Sequence, residues 1–177
     1  MKTRLNRELK CFCPDFRPTR RILRQLGASR HSVKTQTDYF VHLPETPPGT
    51  GTKRLKMRFE SGRPQLIYYY DRRDSGHGSV DFQLFDVSDS NVKDALEAAL
   101  GIKAIVKKRR EVWRQDNAKF NLDAVEGVGT IFEIEVEEIR GSAAQRQLGE
   151  YYRGFEPYLG EQVNGSNKDL VPKRDPL

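Results

Sequence analysis

An α+β domain, in which long antiparallel strands close into a barrel with helices outside, is the fold class this sequence predicts. Three observations lead there. Segments that alternate apolar and polar residues recur along the 177 residues, with helical segments between some of them. Several of those segments carry charge on the polar positions. And only 36% of the chain is AVILMFWYC while 32% is charged, a balance that suits a partly polar interior. The length suffices for one domain over 1–177, and seven Tyr with nine Phe argue against wholesale disorder. A weakly ordered tail is expected from about residue 165.

The elements follow in order. Residues 4–13 alternate and read as a strand, with Leu9, Cys11 and Cys13 on one side and Asn6, Glu8 and Lys10 on the other. Pro18 suits a helix's first turn, Ile22, Leu23 and Leu26 share a face, and Gly27 ends it, which predicts a helix over 18–26. Residues 33–42 read as a second strand, and "LPETPPGTGT" as a mobile loop. Lys53–Glu60 and Gln65–Asp71 form a hairpin around "SGRP". "SGHGS" breaks the chain before the short strand "VDFQLFDV". A helix follows, with Ser or Asp to cap it, Val92, Leu96, Ala99 and Leu100 as its face, and Gly101 as its end. "KAIVKKRREVWRQ" is a long strand, paired through "DN" with "AKFNLDAVEG"; "GTIFEIEVEEI" comes after "EGVG". A last helix, broken near Pro157, precedes the tail.

The charged faces carry the functional argument. Lys56 and Arg58 share a face, as do Lys108, Arg110 and Arg114, then Asn121 and Asp123, then Glu133, Glu135 and Glu137, besides Glu8 and Lys10. One such face is ordinary solvated surface, and ladders of surface ion pairs contribute little. A closed sheet instead gives every strand an inner side. Gathered carboxylates repel unless a cation joins them, and hard oxygen donors favour Mg²⁺ or Mn²⁺. Lys and Arg beside such a cation make a cradle for a polyphosphate.

The order of motifs resembles the CYTH family, the class IV adenylyl cyclase and thiamine triphosphatase group, also called triphosphate tunnel metalloenzymes. The family's opening E-x-E-x-K strand is similar to Asn6-x-Glu8-x-Lys10. Its helix ending in Leu-Gly-Ala matches "ILRQLGA", and its Gln-x-Asp-x-Tyr-Phe strand matches "QTDYF". "LKMR" resembles the family's Leu-Arg-x-Arg, "VKKRREVW" its Lys-x-Arg strand, and "LDAVEGVGTIFEIEVE" its long acidic hairpin. The tail "SNKDLV" is similar to the ending of the cyclase-like branch. The resemblance covers residues 4 to about 171. It implies an eight-stranded antiparallel tunnel with a charged lumen holding a divalent metal, Mg²⁺ or Mn²⁺, and a triphosphate-containing small molecule. Metal would sit on Glu8, Asp123, Glu133 and Glu135, phosphates on Lys56, Arg58, Lys108 and Arg110, and Lys10 would act near the leaving group. Two positions depart from the pattern. Asn6 replaces a Glu, and Tyr70 stands where the family has a Lys, for which Arg72 or Arg73 is a candidate substitute.

The resemblance implies an enzyme of the cyclase or triphosphatase type, the alternative being a weakened triphosphate- or polyphosphate-binding module. The net charge of +6, concentrated near the start, suits anionic ligands, but no nucleic-acid motif accompanies it. No apolar run reaches membrane-spanning length, no apolar stretch follows the basic first residues, and Cys11 and Cys13 read as reduced thiols. A cytoplasmic protein without a membrane partner is expected. The oligomeric state is left open, a homodimer among the options. His31, His42 and His77 show no ligand spacing.

Overall fold

In the computed structural model, the described residues are 6–45, 52–71, 80–139 and 143–175. Among these residues, eight antiparallel strands form one sheet, with three α-helices. In chain order these are β1 (Asn6–Phe12), α1 (Phe16–Gln25), β2 (Ser29–Val41), β3 (Thr52–Glu60), β4 (Arg63–Asp71), β5 (Val80–Asp86), α2 (Val92–Leu100), β6 (Ile102–Gln115), β7 (Ala118–Val125), β8 (Gly129–Glu137) and α3 (Ala144–Phe155). The strand order is β1-β8-β7-β6-β2-β3-β4-β5, and among the described residues no ladder joins β1 to β5. The expected α+β class with eight antiparallel strands is therefore observed, without closure by hydrogen bonds.

The chain divides into two compact units. One holds the described residues of 6–34 and 108–165, the other those of 35–107 and 166–175.

In the first unit the sheet has two unlike faces. Phe120, Leu122, Phe132, Ile134 and Val136 point to the side covered by helices, where they pack with Leu23, Trp113, Leu148 and Phe155. Period 2 then sends Glu133 and Glu135 to the opposite face, together with Asn121 and Asp123, yet all four stay buried. Helix α1 begins earlier than Pro18 suggests, because Asp15 accepts the backbone N–H of Arg17 and caps it. Gly27, at φ +79°, ends it as expected. After α3 the chain turns through a short 3₁₀ helix, Glu156–Tyr158, and lies along β1. Phe12 N–H bonds the Glu161 carbonyl at 3.0 Å and Val163 N–H bonds that of Lys10 at 2.9 Å. An edge that would otherwise offer bare peptide groups is covered there.

In the second unit β3 and β4 pair through a tight turn, Ser61-Gly62, with φ of 49° and 83°. Helix α2 starts after Asn91 with no side-chain cap, so the expected Ser or Asp cap is not formed; Asp89 instead accepts the Asn91 N–H at 2.8 Å in the turn before it. Residues 167–169 form a 3₁₀ turn fixed by reciprocal bonds between Ser166 and Asp169. Val171 is buried and Arg174 N–H bonds the Lys103 carbonyl at 2.9 Å, so this part of the tail docks on the unit. The "SGHGS" break and Arg72 with Arg73 lie outside the described residues.

Candidate functional site

The polar face of the first unit is built by register. Glu8 of β1 stands opposite Glu135 of β8, which stands opposite Lys119 of β7. One step along, Lys10, Glu133 and Asn121 make the next row. Arg110 of β6 stands opposite Asp123 of β7. Alternation places all these side chains on one face, while the residues between them enter the helix-covered core.

Charges on this face are interleaved. Arg110 grips Asp123 with two hydrogen bonds, at 2.7 and 2.6 Å, and reaches Glu133 at 2.7 Å. Lys108 gives a third bond to Asp123, at 2.9 Å. Lys10 bridges Glu8 at 3.0 Å and Glu133 at 3.3 Å. Glu135 is held between Lys119, at 2.5 Å, and the Asn121 amide, at 2.7 Å. Burial opposes every one of these charges, and the neighbours decide the outcome. Burial would raise the Asp123 carboxyl, but Arg110 and Lys108 hold it below its ordinary range. Burial would likewise raise Glu133, and Lys10, Arg110 and Lys108 hold it well below. Glu135 goes the other way: burial and the charge of Glu133 push it up against the pull of Lys119. Burial works against the Lys10 ammonium, but Glu133 and Glu8 raise it well above the usual lysine range.

The second unit repeats one part of this arrangement. Asp38 of β2 stands opposite Arg58 of β3, accepts from it at 2.6 and 2.8 Å, and accepts from Lys56 at 2.7 Å. A Lys-x-Arg strand whose Arg is registered against an Asp thus occurs twice, at 56/58 with Asp38 and at 108/110 with Asp123. Each aspartate fixes two cations at a set spacing, which is what a phosphate cradle requires.

The fit to a divalent cation rests on the donors present. Among the described residues no three His, Cys, Asp or Glu side chains converge as a ready metal cluster. Nevertheless Glu8 and Glu135 are cross-strand neighbours on one face, and the Oδ1 of Asn6, two residues before Glu8, is buried with no hydrogen-bond partner. Two carboxylates and an unused amide oxygen are hard donors of the kind Mg²⁺ and Mn²⁺ take, so the residues fit. Asp123 has no exposed side-chain surface and pairs with both Lys108 and Arg110.

Of the residues expected from the sequence, the first unit brings Glu8, Lys10, Lys108, Arg110, Asp123, Glu133 and Glu135 onto one face, with Asn121 beside them, and Lys56 with Arg58 sit in the second unit. Asp38 and Lys119, which pair with these residues, were not among the expected site residues. The signals were present: Asp38 falls inside "QTDYF", and Lys119, Asn121 and Asp123 alternate on one strand.

Trp113 is buried in the core with its indole N–H on Glu111 at 2.7 Å. Arg20 of the basic N-terminal helix also pairs with Glu111, at 3.0 Å. No helix among the described residues is long and apolar enough to cross a membrane.

No curated protein matches the chain. Among solved structures it is similar to the PH1012 protein of Pyrococcus horikoshii, with TM-score 0.78 and 24% identity, over 95% of this chain and 100% of that one. A candidate adenylate cyclase from Vibrio parahaemolyticus superposes with TM-score 0.72 at 16% identity, over 96% of this chain and 98% of that one. HpAC1 from Hippeastrum, described as a candidate adenylyl cyclase with a dominant triphosphatase activity, gives 0.60 at 15%, over 94% and 93%. At these identities the likeness shows the fold, and it agrees with the element order derived above. The model of the CYTH domain matches residues 5–157. The chain belongs to the CYTH domain family.

Proposed function

We propose that this protein binds an organic triphosphate together with Mg²⁺ or Mn²⁺ and hydrolyses it. The observation that carries this reading is the polar face on which Asn121, Asp123, Glu133, Glu135 and Lys108 are buried, beside half-buried Lys10 and Arg110 and with Glu8 exposed at its edge. Such a concentration of buried charge is costly to maintain, and a fold gains nothing from it by itself. Lys108 and Arg110, anchored by Asp123, hold phosphoryl oxygens; the resemblance assigns Lys56 and Arg58 the same task. Lys10, held by two carboxylates, supplies a fixed positive charge toward the oxygen that leaves with the displaced phosphates. Glu8, Glu135 and the Asn6 amide oxygen would hold the cation, which when bound neutralises charge on the phosphates. Water attacks the terminal phosphorus, the bond to the bridging oxygen breaks, the diphosphate leaves with that oxygen, and the water's proton passes to the phosphate oxygens as inorganic phosphate forms. Hydrolysis is preferred to cyclisation because it requires no group to orient a ribose hydroxyl.

Phosphate release from ATP and from tripolyphosphate, with and without each metal, tests this reading. Metal-dependent release that Glu135→Ala abolishes in a folded protein supports it; release that persists unchanged in that variant removes the metal assignment. The alternative is a binding module without turnover, which the missing charge at residue 6 favours. In that case calorimetry shows tripolyphosphate binding while no phosphate is released. Asn6→Asp supplies the lost charge and is expected to tighten Mn²⁺ binding about tenfold, since ligand charge count sets affinity. Identical titration curves for the two proteins would show that residue 6 does not meet the metal.

A further inference from the structure

A cavity of about 300 Å³ opens in the second unit at the start of β3. Four of its lining side chains are cations, Lys53, Arg54, Lys103 and Lys168, against the single carboxylate of Glu45. Lys168 pairs with Asp169 at 2.7 Å, whereas Lys53 and Lys103 are exposed. The cavity continues the cluster on Asp38. Arg58, Lys56 and Arg54 occupy alternate positions of β3 and therefore share one face. They span about 13 Å, at roughly 3.3 Å per residue, and the last of them lines the cavity.

The cavity is poorly suited to a flat neutral group. The ring of Phe40, in its wall, already carries the Lys56 ammonium at 5.2 Å, and the neighbouring Tyr69 ring carries Arg54 at 4.9 Å. Both aromatic faces are engaged by the protein's own cations. The lining carries four cations against one carboxylate, an excess of positive charge.

We propose that this cavity is a second anion subsite, which takes a further phosphoryl group of the ligand beyond its triphosphate. The inference rests on the triphosphate reading above and narrows it. The extra group can come from a longer inorganic chain or from a nucleoside triphosphate phosphorylated elsewhere on its sugar. Both present the same dianionic oxygens to Lys53 and Lys103.

Calorimetry separates these sources. Tripolyphosphate is compared with tetrapolyphosphate, and a nucleoside 5′-triphosphate with its 3′-phosphorylated form, on wild-type protein and on Lys53→Met/Lys103→Met. Both lysines are exposed, so the double variant is expected to fold, and circular dichroism verifies that. In at least one pair the more phosphorylated ligand is expected to bind about five-fold tighter to wild type, as two exposed ion pairs permit. The double variant should lose that gain while its affinity for the shorter ligand stays. Equal affinities within both pairs overturn the subsite. So does a double variant that weakens the shorter ligands as much as the longer ones. Wild-type protein that binds none of the four overturns the triphosphate reading itself, and the subsite with it.

Discussion

Asp123 is the most enclosed charge of the candidate site, with no exposed side-chain surface and donors from Lys108 and Arg110 on both its oxygens. Asp123→Asn keeps the shape and removes the charge, leaving two buried cations without their anchor. Breaking a buried pair on one side costs about 3–5 kcal/mol, and urea unfolding should show a loss of that order. Glu111 offers a pH test away from the candidate site. Burial would raise its carboxyl, but hydrogen bonds from Arg20 and Trp113 hold it below the usual glutamate value. A carboxyl lowered by folding stabilises the protein above its unfolded pKa, about 4.3, and that stabilisation is lost as pH falls through the lower folded value. Arg20→Met should therefore cost about 1–3 kcal/mol at pH 7, and the gap from wild type should narrow on acidification below about pH 4. Chemical denaturation at a series of pH values measures both. The residues of the site were legible where two like charges alternate, as at Glu133 and Glu135. Asp38 and Lys119 were harder to see because their roles depend on which strand lies beside them, and that is fixed by register across the sheet.

The β3–β4 hairpin turns on Ser61 and Gly62, both at positive φ. Two-residue turns of this hand match the twist of the strands and favour Asn or Gly at the first position, where serine carries some strain. Ser61→Asn is expected to raise stability by about 0.5 kcal/mol, seen as a higher thermal midpoint; a lower midpoint would mean that the Ser61 side chain makes a contact the turn needs. Strands were readable in the sequence because one face of each is buried and the period is strict. Their ends were less so. The second strand begins at Ser29, four residues before the expected Val33, in a polar stretch that carries no alternation. Helix α1 was tied to Pro18, while its start is decided by the Asp15 cap, three residues ahead of that proline.

Taken as a whole, the molecule accounts for its own composition. An apolar fraction of 36% is enough because the helix-covered core of the first unit uses the large side chains, Phe120, Phe132 and Phe155 among them, while its other sheet face is built from charge. Alternation announces both faces, so the α+β class and the polar wall could be read in advance. The course of residues 160–163 along β1 could not, since a segment held by backbone hydrogen bonds needs no side-chain pattern. For the same reason the docking of residues 166–171 had no periodic signal to reveal it.

The covered side of β1 has a practical consequence. Cys11 and Cys13 are the chain's only two thiols, and each is at most 1% exposed. A thiol-reactive dye can reach them only when this region opens, so the rate of labelling reads out how often it does. Where reclosing outpaces the dye, the rate follows the population of the open form, rising tenfold for each ~1.4 kcal/mol of stability lost. Asp123→Asn should label faster by that measure, and tripolyphosphate with Mn²⁺ should slow wild-type labelling. A cysteine that reacts at once in the native protein would show that the strand edge is open to solvent. The chain thus carries its own optical gauge of how firmly this sheet holds together.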